Sequence, residues 1–149
     1  MGDTMKIIVQ RTKKAEVRVD NACVGKIGKG YVLLIGITTT DTKEIADKLI
    51  KKIVNLRIFE DSEGKMNLNL KQVGGEVLAI SQFTLYGDTS RGNRPSFITA
   101  ARPEIAEPLY NYIVEELSKE FNVQTGIFGA MMEVDFINEG PCTIILEQD

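Results

Sequence analysis

The run Tyr31-Val32-Leu33-Leu34-Ile35-Gly36-Ile37 contains no charged residue and lies between Gly30 and the threonines 38–40. A continuously apolar segment of this length, bounded by glycine and polar residues, is typical of a strand buried on both faces. It therefore predicts the central strand of a sheet, around which the rest of the fold is arranged.

Further strands are predicted on both sides of this run. Apolar or alternating patterns indicate strands at residues 6–10, 15–20, 23–27, 76–80, 130–138 and 142–146. Two stretches have apolar residues at helical spacing, residues 40–56 after an N-cap at Thr40 or Asp41, and residues 103–121. Pro108 should bend or loosen the start of the second helix. The pattern predicts one α+β domain over residues 1–149, with residues 1–4 as a candidate extension.

The composition excludes several kinds of catalysis. The 149 residues include no histidine, which removes Ser-His-Asp and Cys-His nucleophile systems and histidine-containing zinc sites. Cys23 and Cys142 fit no zinc or redox spacing, so both are expected to be buried structural thiols. Any chemistry must come from hydroxyls, carboxylates, backbone dipoles or the substrate, and we expect no metal and no cofactor.

The charge limits the partners of the protein. A net charge of −3 argues against broad, non-specific binding of nucleic acid, so a nucleic-acid partner would need a local basic patch. No apolar run approaches the roughly 20 residues that cross a bilayer, and the N-terminus lacks the pattern of a signal peptide. We therefore expect a soluble cytoplasmic protein without a membrane partner.

Three segments carry polar groups that are suited to chemistry. They are Ser81-Gln82-Phe83-Thr84-Leu85, Asn138-Glu139-Gly140-Pro141-Cys142-Thr143 and Arg91-Gly92-Asn93-Arg94. Taken alone, each is more often structural: the end of a strand, a tight hairpin and a solvated loop. The two arginines of the third segment are also suited to binding phosphates.

Together the first two segments closely resemble those of the bacterial-type D-aminoacyl-tRNA deacylase family. That family carries a Ser-Gln-x-x-Leu segment and an Asn-x-Gly-Pro-x-Thr segment, and the resemblance extends from about Met5 to the C-terminus. The matching stretches include Met5-Lys6-Ile7-Ile8-Val9-Gln10-Arg11, Asn55-Leu56-Arg57-Ile58-Phe59 and Gly126-Ile127-Phe128-Gly129-Ala130. The departures are small, since Arg91 stands where lysine is usual and Cys142 where valine is usual.

This resemblance implies a fold and an activity. The fold would be a strand-rich, barrel-like core with two packed helices, and the protein would be a homodimer with active sites at its interface. It would hydrolyse the ester of D-aminoacyl-tRNA. The Gly140-Pro141 bond would be cis, and its carbonyls would hold the α-ammonium of the substrate. An L-side chain would then meet backbone while a D-side chain points outward. Glycine has no side chain to reject, so we also expect hydrolysis of glycyl-tRNA.

The resemblance also suggests roles for individual residues. The expected catalytic residues are Ser81, Gln82, Phe83 and Thr84. The N–H groups of Phe83 and Thr84 would polarise the ester carbonyl as an oxyanion hole does. The 2′-hydroxyl of the tRNA would relay a proton to water, and Thr84 as a covalent nucleophile is the rival hypothesis. The expected substrate-binding residues are Gly140, Pro141, Asn138, Thr143, Arg11, Phe128 and Met132, and the expected tRNA-binding residues are Arg91 and Arg94.

Three alternatives remain open on the sequence. The chain could be a non-catalytic nucleic-acid-binding module on the same fold, although its acidity counts against this. It could hydrolyse small esters or amides of D-amino acids without RNA. A structural protein without a ligand is the third alternative, and the presence of both motifs argues against it.

Overall fold

A computed structural model describes residues 3–149. Met1 and Gly2, within the candidate extension at residues 1–4, lie outside the described residues. In chain order the elements are β1 (Met5–Val19), β2 (Ala22–Ile27), β3 (Gly30–Gly36), α1 (Lys43–Asn55), β4 (Phe59–Glu60), β5 (Met66–Leu68), β6 (Glu76–Ser81), a 3-10 helix (Phe83–Tyr86), α2 (Pro103–Ser118), β7 (Val123–Thr125) and β8 (Glu133–Gln148).

The apolar run forms the central strand β3, as predicted. It pairs antiparallel with β1 and parallel with β6. Its alternate side chains enter two different cores. Tyr31, Leu33 and Ile35 are buried in the core beneath the helices, while Val32 is buried in a second core on the other face of the sheet. Because both faces are covered, the strand needs no polar side chain.

Strand β1 organises the rest of the sheet. It was predicted as two strands but is one strand of 15 residues. One of its edges pairs with β8, and its other edge pairs first with β3 and then with β2. The sheet order is β2-β1-β3-β6-β7, with β8 added to β1. Strands β2 and β7 approach closely, since a Cβ on Gly25 would lie 2.6 Å from the carbonyl oxygen of Thr125. The sheet is therefore a nearly closed barrel.

The two predicted helices pack on the core that contains Tyr31. The N-cap of α1 is Thr42, whose hydroxyl accepts from the N–H of Ile45 at 3.3 Å. The prediction of Thr40 or Asp41 as the cap was therefore wrong. Asp41 instead accepts from the N–H of Thr38 at 2.7 Å, which closes the turn before the helix. Helix α2 continues through Pro108 and ends at Ser118, three residues earlier than predicted.

Several other predictions need correction. The predicted strands 130–138 and 142–146 form one strand, β8, which begins at Glu133. The short strands β4, β5 and β7 were not predicted. Cys142 is buried as expected, but Cys23 is exposed because it lies on β2 near the turn at residues 20–21. No helix in residues 3–149 has the length and apolar character to cross a membrane.

The close contact between β3 and β6 leads to a prediction about stability. A Cβ on Gly30 would lie 1.8 Å from the backbone oxygen of Glu76, so Gly30→Ala must push the two strands apart. We expect this change to lower the free energy of unfolding in urea by about 3 kcal/mol. Gly28→Ala is the matched control, because its Cβ would make an ordinary contact of 3.5 Å with Glu76. Equal stability of the two variants would contradict the packing described here.

Candidate active site

An open cavity of about 700 Å³ lies at the end of β6. The strand delivers Ser81 to its wall, and the 3-10 helix that follows adds Phe83 and Thr84. Six predicted site residues line this cavity together: Ser81, Gln82, Phe83, Thr84, Phe128 and Met132. The structure therefore unites the first predicted motif with residues that lie about 50 positions later in the chain.

The Ser-Gln segment is held firmly in this wall. The N–H of Gln82 donates to the carbonyl oxygen of Ile35 at 2.8 Å, which fixes the segment to β3. The side-chain amide of Gln82 donates to the hydroxyl oxygen of Thr84. Phe83 is 57% exposed and packs edge-on against Phe97, with 5.1 Å between ring centroids. The segment thus leaves the strand at Ser81, and Phe83 lies at the surface and outside the core.

Two backbone N–H groups of the 3-10 helix are available as donors. The N–H groups at the start of any helix have no acceptor within it. Gln82 at the N-cap makes no side-chain capping bond here. Within residues 3–149 no acceptor pairs with the N–H of Phe83 or of Thr84. The wall thus presents two unpaired donors beside the cavity, the groups that an oxyanion hole requires.

The cavity wall carries no charged side chain among the described residues. Burial raises the pKa of the neighbouring Tyr86 further above neutral pH, so this phenol does not serve as a base for the cavity. No group of three or more Cys, Asp or Glu in residues 3–149 is placed to hold a metal ion. What the described wall offers is hydroxyls, one amide, backbone N–H groups and apolar surface.

The second motif forms a bulge on β8, and predicting it as a hairpin was wrong. Gln10 pairs with Thr143 and Thr12 pairs with Asn138, so the four residues 139–142 face only Arg11. Both flanks of the bulge continue along β1, whereas the two arms of a hairpin would pair with each other. Gly140 and Pro141 are exposed, and the peptide bond between them is cis, as the resemblance implied.

Arg11 lies beneath this bulge and supports it. The residue is 5% exposed, its Nε donates to the carbonyl oxygen of Glu139 at 3.2 Å, and its Nη1 donates to that of Ile58 at 2.7 Å. The carboxylates of Glu60 and Glu139 lie 3.6 and 3.9 Å from its nitrogens. A Cβ on Gly140 would lie 2.7 Å from Nη2, so glycine lets the bulge rest on the guanidinium.

Asn138 and Thr143 close the base of the bulge. The side-chain oxygen of Asn138 accepts from the N–H of Cys142 at 3.2 Å. The hydroxyl of Thr143 donates to the side-chain oxygen of Gln10 at 2.5 Å. Both residues therefore shape the Gly-Pro segment from within the same chain.

A single chain does not bring the two motifs together. No residue of the segment 138–143 lines the cavity. Ile7 is the residue of β1 that lies level with Ser81, because Ile7 pairs with Ile35 and Ile35 pairs with Ser81. Arg11 lies four residues further along β1, which is about 13 Å at the usual rise of a strand. The bulge and the cavity are thus separate features of one chain.

Arg91 and Arg94 line a different cavity, of about 590 Å³, together with Lys6. Sequence reasoning did not identify Lys6, and it also missed Phe97, Ala100 and Met131 in the wall of the first cavity. Phe97 follows a polar loop and no local pattern marks it. Its contact with Phe83 depends on the tertiary structure.

The model of the D-Tyr-tRNA(Tyr) deacylase family matches residues 8–147. The chain belongs to this family. It is a D-aminoacyl-tRNA deacylase, a hydrolase that acts on aminoacylated tRNA in translation quality control. The expected barrel-like fold and the resemblance stated above are both confirmed.

Two solved structures are similar over nearly the whole chain. The structure of a c-Myc DNA unwinding element binding protein is 40% identical, with a TM-score of 0.90, and the match covers 96% of this chain and 98% of that chain. The structure of a probable eukaryotic D-amino acid tRNA deacylase is 18% identical, with a TM-score of 0.83 and coverage of 97% and 99%. At that identity the second similarity shows the fold alone.

The position of Arg11 predicts the effect of a conservative change. Arg11→Lys keeps the charge but offers its donors from one nitrogen in place of the Nε and Nη1 that reach Glu139 and Ile58, so the bulge loses support. We expect kcat/KM on D-tyrosyl-tRNA to fall by about tenfold or more, the cost of roughly one charge-assisted hydrogen bond. Arg18→Lys is the control, because the ion pairs of Arg18 lie at the surface and contribute little. Equal activity of the two variants would remove the supporting role of Arg11.

Proposed function

We propose that this deacylase cleaves D-aminoacyl and glycyl esters of tRNA in the cytoplasm, at sites that combine two copies of the chain. The observation that carries this proposal is the separation of the two motifs. The cavity beside Ser81 holds hydroxyls and N–H donors but no charged acceptor among the described residues. An α-ammonium needs acceptors, and exposed backbone at Gly140 and Pro141 of a second copy would supply them.

The open edge of β8 supports association of two copies. Within the described sheet β8 pairs with β1 alone, so its other edge is unpaired over 16 residues. Ile137 and Ile145 on this strand are 44% and 63% exposed. Long unpaired edges with apolar side chains favour pairing with another chain. A two-fold homodimer through this face would carry each bulge towards its partner, and identical sites would then occur twice.

Chirality follows from what the inserted bulge can reject. Once the ammonium, the carbonyl and the ribose are fixed, an L-side chain points into the backbone of the bulge and a D-side chain points away. The rejection is steric and is exerted by the backbone of the bulge, so it excludes any L-side chain of the substrate. Glycine carries nothing to reject and is therefore a substrate.

Catalysis in this proposal relies on positioning. The N–H groups of Phe83 and Thr84 polarise the ester carbonyl, and the 2′-hydroxyl of the tRNA passes a proton for an attacking water. Ser81 and Gln82 hold this wall in place. Phe128 packs near Tyr110, with 6.0 Å between ring centroids, and Met132 lies in the same wall, so both shape the opposite side of the cavity.

The substrates test the proposal directly. With matched tRNA, the protein should remove D-tyrosine and glycine rapidly and leave L-tyrosine attached, because only the L-side chain meets the bulge. Ester loss is followed over a series of enzyme concentrations. Survival of glycyl-tRNA at concentrations that clear D-tyrosyl-tRNA would contradict the steric account. Loss of L-tyrosyl-tRNA at the same rate would remove the chiral wall altogether.

The role of Thr84 gives a second test. Its hydroxyl oxygen accepts from Gln82, and no described side chain of the cavity is a base that would take its proton. Thr84→Ala should therefore keep kcat/KM within about threefold, a loss well below the 10²-fold or more expected of a covalent nucleophile. Thr89→Ala in the exposed loop serves as the matched control. An inactive but folded Thr84→Ala protein would favour the nucleophile hypothesis instead.

A second candidate function comes from the relative at 40% identity, which is described as a DNA unwinding element binding protein. A non-catalytic nucleic-acid-binding role would give salt-dependent binding without turnover. The net charge of −3 makes it the weaker candidate. Binding of DNA by a protein that leaves D-tyrosyl-tRNA intact would favour it.

A further inference from the structure

The cavity of about 590 Å³ adjoins the candidate active site through two shared walls. The first wall is the 3-10 helix. Its first two residues, Phe83 and Thr84, line the active-site cavity, and its last two, Leu85 and Tyr86, line the second cavity. The two cavities are therefore lined by successive residues of the same short helix.

The second shared wall is the segment that follows the arginine loop. Phe97 and Ala100 line the active-site cavity, whereas Ile98 and Thr99 between them line the other one. The base of the loop is closed by reciprocal backbone hydrogen bonds between Asp88 and Ser96, at 2.8 and 2.9 Å. The loop that carries the arginines is thus attached to the wall of the active site.

Three cationic side chains line this second cavity: Lys6, Arg91 and Arg94. Lys6 is held in place, since its Nζ lies 5.2 Å from the ring centroid of Tyr86. That ring is itself fixed, because the Tyr86 hydroxyl donates to the carbonyl oxygen of Thr4 at 2.7 Å. Lys6 therefore comes from the rigid strand β1, while the two arginines come from a loop.

Two carboxylates, of Asp3 and Asp88, also line the cavity. The carboxylate of Asp88 accepts from the N–H of Ser90 at 2.9 Å, so it serves mainly to hold its own loop. Three cationic and two anionic side chains give the cavity a net positive charge, although the protein as a whole has a net charge of −3. A local excess of this kind is suited to one anionic group and does not suit a long nucleic-acid backbone.

We propose that this cavity is a subsite for a single phosphate of the tRNA 3′ end, and that Lys6 is its main contact. The inference rests on the proposed function, because it places the aminoacyl ester in the neighbouring cavity. The phosphodiester next to the terminal nucleoside then enters the second cavity. Lys6 supplies the fixed charge, and Arg91 and Arg94 close over the phosphate from the loop.

The first experiment compares two esters that differ in their phosphates. The substrates are the D-tyrosyl esters of adenosine and of the trinucleotide CCA, and the proteins are the wild type, Lys6→Gln and Lys48→Gln. Lys48 is an exposed lysine on α1 and gives the same change of charge away from the cavity. Lys6→Gln should raise KM for the trinucleotide ester about tenfold. It should leave kcat unchanged and have no effect on the adenosine ester.

The second experiment does not depend on hydrolysis. Binding of deacylated tRNA to the same three proteins is measured over a series of salt concentrations. Lys6→Gln should reduce the slope of log K against log salt by about 0.7, the loss of one contact to a single-stranded phosphate. Lys48→Gln should leave the slope as it is in the wild type.

The outcomes separate the two proposals. A wild-type protein that leaves D-tyrosyl-tRNA intact refutes the proposed function, while the salt series still decides the subsite. If Lys6→Gln and Lys48→Gln give the same salt slope in the binding series, the subsite proposal is overturned. Equal losses on the adenosine and trinucleotide esters overturn it as well, because they would show that Lys6 acts on the reaction and does not bind a phosphate.

Discussion

The buried guanidinium of Arg11 is the constraint on which the functional surface depends. Strands β1 and β8 pair along almost their whole length, and the largest break in their register is the point where four residues of β8 face Arg11 alone. A buried charge is tolerated only when it is paired and hydrogen-bonded. Here two carbonyl oxygens and two carboxylates satisfy it. Without that pairing the exposed Gly-Pro backbone would have no fixed position.

The rest of the fold divides the chemistry between two places. The central sheet holds the Ser-Gln segment rigidly and turns it into a 3-10 helix whose first N–H groups are unpaired. The bulge lies against the middle of β1, about 13 Å along the strand from the level of Ser81. The two motifs are thus kept apart in one chain. In this account they meet between two chains, and an enzyme without histidine needs only to position an ester that is already reactive.

Much of this arrangement could be predicted from the sequence, and the failures have physical reasons. The run around Leu33 identified the central strand because a fully buried strand has a distinct local composition. The bulge at Gly140 was taken for a hairpin, since its register depends on Arg11, about 130 residues away. The 3-10 helix at Phe83–Tyr86 was not predicted, because the contact of Phe83 with Phe97 depends on the tertiary structure. Lys6 was missed because its partner Tyr86 lies 80 residues further along the chain.

The central claim is that each active site takes its cavity from one chain and its bulge from another. Two variants test it when they are co-expressed: Ala100→Trp, which fills the cavity, and Gly140→Ala, which disturbs the bulge. Each should be folded but inactive on D-tyrosyl-tRNA by itself. In random mixed dimers one site in four would combine two intact parts, so about a quarter of wild-type activity should return. Mixtures that stay as inactive as the separate variants would contradict the account, because both motifs would then act within a single chain.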